Sequence, residues 1–230
     1  MKILAAVKVL LIVTSHEQMG TSGERTGFWL EELAAPYQEF VAAGAQVDIA
    51  SPRGGKAPAD PRSTKDTSEA SKAFLADPAA MKKLENTLVL ESVKEQYDVY
   101  FVVGGHGVMW DLAVHSPLQR MLSSGYERGA VVAAVCHGPA ALVGVKGADG
   151  RPLVAGKRVA GFSNEEEKAV KLDKVVPFAL ETRLTELGGR YERGPMWASF
   201  AVRDGRLVTG QNPASSVAVA REVLAALKEK

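Results

Sequence analysis

Along the chain, short unbroken apolar runs alternate with longer stretches in which apolar positions recur every three or four residues. The run VKVLLIVTS (7–15) is apolar and partly β-branched without polar alternation, the pattern of a strand buried on both faces of a parallel sheet. After the polar loop HEQMGTSGERTG, Leu30, Leu33, Tyr37, Phe40 and Val41 recur at helical spacing between Phe28 and Ala43, with Gly44 as a C-cap. AQVDIAS (45–51) predicts the second strand and PRGGKAPADPRS a loop, by its Pro and Gly content. The stretch 66–96 is polar and helical, an excursion at the sheet edge. DVYFVVGG (98–105) and AVVAAV (130–135) predict the third and fourth buried strands, with the helix LQRMLSSGYERG between them. GKRVAGFS, the amphipathic VVPFALETRLTELGG, a hairpin SFAVRDGRLVTG on an Asp-Gly turn and a terminal helix PASSVAVAREVLAALKEK complete the chain. This alternation predicts an α/β fold: an open, mostly parallel sheet flanked by helices on both faces, as one domain over residues 1–230.

Composition narrows the partners. Lys and Arg number 28 against 27 Asp and Glu, so no net field attracts nucleic acid or anionic lipid. The single cysteine excludes an internal disulfide and any dependence on an oxidising compartment. Lys8 splits the N-terminal apolar run, no small-x-small cleavage site follows it, and no apolar run approaches the roughly 20 residues of a membrane span. The expectation is a cytoplasmic protein with a small-molecule or protein partner, and with neither nucleic acid nor membrane.

Ligands of such sheets bind beyond the carboxyl ends of the strands. The lone Cys136 stands at one such end, where AVVAAV stops and His137-Gly138-Pro139 begins. A residue between a buried strand and a helix start sits on a sharp turn with its side chain lifted off the sheet edge, the arrangement of a nucleophile elbow. Of the usual Gly-x-nucleophile-x-Gly pattern only Gly138 is kept. A helix N-terminus lowers a thiol's pKa, so Cys136 is expected as a thiolate, with His137 as its base or orienter. By composition alone the same cysteine is a small buried apolar residue. Gly104-Gly105 ends the neighbouring strand, where bare backbone amides suit an oxyanion hole or simply a tight turn. His16 and His115 read as surface or loop residues. The spacings H-E-x-x-H and C-x-x-C are absent, and no metal or cofactor is expected.

The motifs TGFWLEELAAPY, FVVGGHGVMWDL, AVVAAVCHGPAAL, AGFSNEEEKAV with VVPFALE, and GRLVTGQNPASS resemble the ThiJ/PfpI superfamily, of the class I glutamine amidotransferase-like (flavodoxin-like) fold. The resemblance runs from about residue 7 to about residue 226 and is strongest to the branch of heat-shock chaperones and glutathione-independent glyoxalase III enzymes. It implies Cys136 as nucleophile, His137 as its partner, Glu32 as the active-site acid, and Glu167 as the acid that orients the histidine, with Glu166 its neighbour. It implies Gly105 and the His137 amide as oxyanion donors, and His106, Trp110 and Asp111 as pocket-lining positions. By local pattern alone Glu31 and Glu32 are solvated helical carboxylates. Ser163 to Glu167 is likewise a helix start, with Ser163 or Asn164 as N-cap and Glu166 or Glu167 as the capping acid. Asn212-Pro213 reads as the cap of the last helix.

The expected function is a glutathione-independent glyoxalase, a D-lactate dehydratase-type lyase. It would convert methylglyoxal or a related reactive 2-oxoaldehyde to a 2-hydroxy acid through a hemithioacetal on Cys136, Glu32 shuttling the proton. The alternatives are a stress-related holding chaperone, with the 66–96 segment as added surface, or a protein or nucleotide deglycase. The resemblance also implies a homodimer.

Overall fold

The apolar runs assemble side by side. In the computed structural model, which describes residues 7–65 and 67–229, β1 (Lys8–Ile12) leads through α1 (Leu30–Ala42) to β2 (Gln46–Ser51). The excursion follows as α2 (Glu69–Ala76), α3 (Pro78–Glu85) and β3 (Leu88–Val89). Then come β4 (Val99–Val102), α4 (Ser116–Glu127) and β5 (Val131–Val135). The last third holds β6 (Arg158–Val159), α5 (Asn164–Ala169), α6 (Leu180–Glu186), β7 (Arg190–Tyr191), β8 (Ala201–Asp204), β9 (Leu207–Gly210) and α7 (Ser216–Lys228). Residues 1–6 of the N-terminal apolar run, Asp66 at the start of the excursion, and Lys230 lie outside the described residues.

One seven-stranded sheet has the order β3-β2-β1-β4-β5-β9-β8, parallel except for β8, which runs antiparallel to β9. Register matches apolar to apolar: Val9 faces Val47 and Val99, and Ala133 faces Phe101 and Val208. The four central strands are buried on both faces, as their unbroken apolar runs require. The chain lays β2 on one side of β1 and β4 on the other. Right-handed crossovers therefore send α1 and α4 to opposite faces and open a crevice at the carboxyl ends of β1 and β4. On one face α1 packs against α7 and α2, and α7 lies over β5 and β9. This is a single α/β domain with a mostly parallel sheet flanked by helices, as the class I glutamine amidotransferase-like fold has it.

Several boundaries differ from the periodicity. The excursion is not helical throughout, since β3 adds an edge strand too short to show alternation. GKRVAGFS supplies only β6, which pairs with β7 in a separate two-stranded sheet. The amphipathic stretch before Gly188 is helical only from Leu180 to Glu186. His115 lies in the loop before α4, where its Nδ1 accepts the Leu118 amide at 3.1 Å and caps the helix. The turn after Cys136 is no α-helix but a five-residue 3-10 turn, Gly138–Leu142.

Candidate functional site

Cys136 follows the last residue of β5 and adopts φ 59°, a left-handed conformation that costs a non-glycine residue energy. Gly138 permits the tight exit, since a Cβ there would stand 2.4 Å from the Val102 carbonyl. The strained turn points the thiol at Glu32 on the first turn of α1 and at the backbone amides of Gly105 and His137. Gly104 makes that approach possible: a Cβ on it would lie 2.2 Å from Glu32 Oε2 and 2.9 Å from Cys136 Cβ. Glu32 is fully buried and neither carboxyl oxygen has a hydrogen-bond partner among the described residues. Burial outweighs the Cys136 thiol and the Gly104 amide, which favour the ionised form, and with the carboxylates Glu31 and Asp60 nearby it pushes the pKa well above the usual range, favouring the neutral acid.

The cysteine's partner in chain order is also its neighbour in space, with His137 Nδ1 3.3 Å from the sulfur. His137 Nε2 reaches Glu167 Oε2 at 2.7 Å, and His106 Nε2 reaches Glu167 Oε1 at 2.9 Å. The two imidazoles lie 3.9 Å apart between centroids. Arg62, on the 3-10 turn Pro61–Thr64, donates to His106 Nδ1 at 3.2 Å and is itself held by Asp60 through two nitrogens at 3.0 and 2.7 Å. A guanidinium only donates, so His106 keeps its proton on Nε2 and gives it to Glu167. Burial and then the neighbouring His137 hold His106 down to about 4. Burial opposes ionisation of Glu167, but His137 and the two ring donors overcome it and hold the carboxyl well below its usual range.

His106, His137 and Glu167 offer one ligand atom each within 4.8 Å of one another. Their surroundings do not fit a metal. Metal-bound imidazoles give their second N–H to an acceptor, whereas His106 Nδ1 faces the Arg62 cation and His137 Nδ1 faces the Cys136 sulfur. The trio is a carboxylate clamped between two imidazole N–H donors.

Glu166 turns the opposite way. Its side chain closes a capping box with Ser163 and accepts from the Trp197 amide, Gln211 and Asn212 at 3.0, 3.0 and 2.8 Å. Trp110 stacks on His16 with centroids 5.2 Å apart, and Asp111 accepts from the Thr14 hydroxyl and the Ser15 amide at 2.7 and 2.8 Å. Both residues brace the loop after β1. Two contributors escaped the sequence reading: Arg62 with Asp60, and Phe162, whose ring lies 4.4 Å from His137. Their partners are distant in sequence, and the only local sign was an Asp-Pro-Arg step in a stretch read as loop.

The structure corrects the expected chemistry. A five-residue 3-10 turn carries little of the dipole expected to lower the thiol's pKa, and Cys136 is 4% exposed. Burial, and then the Glu32 carboxyl beside it, push the thiol well above its usual value, so it rests protonated. Cys136 touches the buried His106, His137 and Glu167 cluster only through His137 Nδ1 and is not one of the groups that converge there. These findings overturn the thiolate nucleophile, the lyase built on it, and the glyoxalase that proceeds through a Cys136 hemithioacetal.

Comparison with known proteins places the chain. Residues 25–226 match the DJ-1/PfpI family. The chain is 31% identical to glyoxalase 3 of Candida albicans, over 96% of this chain and 99% of that one. It is 33% identical to the glutathione-independent glyoxalase HSP31 of Saccharomyces cerevisiae, over 98% and 100%. The crystal structure of the Rapid Encystment Protein of 24 kDa from Francisella tularensis superposes with a TM-score of 0.93 at 38% identity, over 96% of this chain and 99% of that one. With a family match across most of its length and relatives that it covers almost end to end, the chain belongs to the DJ-1/PfpI (ThiJ/PfpI) family, close to its glutathione-independent glyoxalase and HSP31-type members.

Proposed function

We propose that the protein is a stress-related holding chaperone, which keeps unfolding proteins from aggregating by docking their apolar segments on the excursion that follows β2. The carrying observation is the sheet edge. β3 is the terminal strand, and its two side chains, Leu88 and Val89, are 43% and 40% exposed. Successive strand residues point to opposite faces, so each face carries one exposed apolar side chain, while the backbone at this edge is closed by Gly55, which bridges Thr87. Adjacent large apolar side chains left in water are surface that invites the apolar segments of another chain. Holding uses that invitation and needs no thiolate. The resemblance to a branch that contains heat-shock chaperones supports the reading. Among the described residues, no helix is long and apolar enough to cross a membrane.

The test is suppression of light scattering from thermally unfolding citrate synthase. The wild type is expected to suppress it at near-stoichiometric ratios. Leu88→Lys with Val89→Lys is expected to lose most of that activity, because it replaces the exposed apolar pair with charge that an apolar segment will not bury. Cys136→Ser is expected to retain it. A wild type that leaves scattering unchanged, or an edge variant as active as the wild type, removes the proposal.

A further inference from the structure

Beyond the carboxyl ends of β1 and β2, and beneath α2 and α3, lies a cavity of about 570 Å³, within the roughly 300–1,000 Å³ usual for small-molecule sites. Phe28, Leu30, Ala57 and Leu84 form a buried apolar floor, and the exposed Leu75 and half-buried Met81 complete the apolar lining on the open side. Five charged residues rim it. Arg25 is paired with Glu17. Arg53 is tied by its guanidinium to the Ser15 carbonyl, and among the described residues neither Arg53 nor Lys56 has a carboxylate within 4.0 Å. Glu85 offers one negative charge against these two cations, which leaves a single uncompensated positive charge over an apolar floor. Strand carboxyl ends are where open α/β sheets bind ligands, and this cavity stands apart from the buried His106, His137 and Glu167 cluster.

We propose that this cavity binds a single-chain amphiphilic monoanion, a medium-chain fatty carboxylate. Its hydrocarbon chain lies on the Phe28 and Leu84 floor and its carboxylate between Arg53 and Lys56. The apolar lining supplies the affinity, and the unpaired cations choose an acid over an alcohol. The inference does not rest on the holding activity, since ligand binding is read on the protein alone.

Isothermal titration with hexanoate, heptanoate and octanoate tests it. Each added methylene is expected to tighten binding about fourfold, the equivalent of about 0.8 kcal/mol of buried CH₂. Octanoate is expected to bind about tenfold more tightly than 1-octanol, and to weaken as salt rises. Arg53→Glu with Lys56→Glu is expected to erase the preference for the acid while leaving 1-octanol unchanged, and Met81→Trp, which fills the open side, to abolish binding of both. Circular dichroism confirms that the variants fold. Affinity that is flat with chain length, equal affinity for acid and alcohol, or octanoate binding that survives Met81→Trp in a folded protein overturns the proposal.

Discussion

Glu166→Ala is expected to destabilise the fold by about 4 kcal/mol, the scale of leaving buried polar groups without their charged partner. The carboxylate is 0% exposed and accepts five donors: the Ser163 amide and hydroxyl at 3.0 and 2.9 Å, the Trp197 amide at 3.0 Å, Gln211 at 3.0 Å and Asn212 at 2.8 Å. Alanine removes the acceptor and leaves these donors where water does not reach. Asn212 has a second acceptor in the Ala198 carbonyl, whereas Gln211 keeps only the Gly194 amide, which donates to its Oε1 and leaves its Nε2 without an acceptor. The Trp197 amide and the Ser163 cap have less to fall back on. Trp197 is also held at φ 65°, a strained conformation for an aromatic residue, with its ring 5.8 Å from Phe162. Releasing Glu166 therefore frees the 194–200 segment as well as the start of α5. Urea unfolding at pH 7.5 measures the loss, which for a domain of this length corresponds to roughly 10 °C in Tm. Glu165→Ala is the control: that residue is exposed and paired with Arg193, and its loss is expected to cost less than about 1 kcal/mol. A Glu166 variant within 1 kcal/mol of the control would show that the network carries no stability.

That pair of neighbours also shows where sequence reasoning reaches and where it stops. Ser163 to Glu167 reads as a helix start from local pattern, and the capping box is there. Local pattern cannot separate Glu166 from Glu167, because their difference is about 100° of rotation on a short helix, and what lies in each direction comes from other parts of the chain. Glu166 meets Gln211 and Asn212, while Glu167 meets His106 and His137. The central strands were readable because burial on both faces leaves an unbroken apolar run, and the sharp turn at Cys136 because that run stops there at His137-Gly138-Pro139. β3 was not, since two residues carry no period. Arg62 was hidden for another reason: it reaches His106 only because the loop after β2 folds over the end of β4. The thiol's protonation was misread because the elbow implied a helix dipole, whereas the following turn is short and the nearest acid is buried beside the sulfur.

That buried acid carries the second large effect. Glu32→Met is expected to stabilise the protein increasingly as pH rises, by about 1.4 kcal/mol per pH unit between the ordinary carboxylate pKa and the raised folded one. The sign follows from proton counts. Above about pH 4.5 the unfolded chain has released the Glu32 proton while the folded chain, through burial, keeps it, so each rise in pH favours unfolding. Methionine has a similar shape and no proton to keep, and it gives up only the weak approach of the Cys136 thiol and the Gly104 amide to the carboxyl. His106 works in the other direction. Its folded pKa is lowered from 6.5 to about 4, so its contribution is complete above pH 6.5 and is lost as pH falls toward 4. Between pH 4.5 and 6.5 the two slopes oppose each other in the wild type, and the methionine variant keeps the His106 slope without the opposing one from Glu32. Urea unfolding of both proteins from pH 4.5 to 8 resolves this, because their difference cancels every titrating group they share. The curves should meet near pH 4.5 and diverge above it. Parallel curves would mean that Glu32 is ionised in the folded state, and the neutral pairing of acid and thiol would have to be abandoned with it.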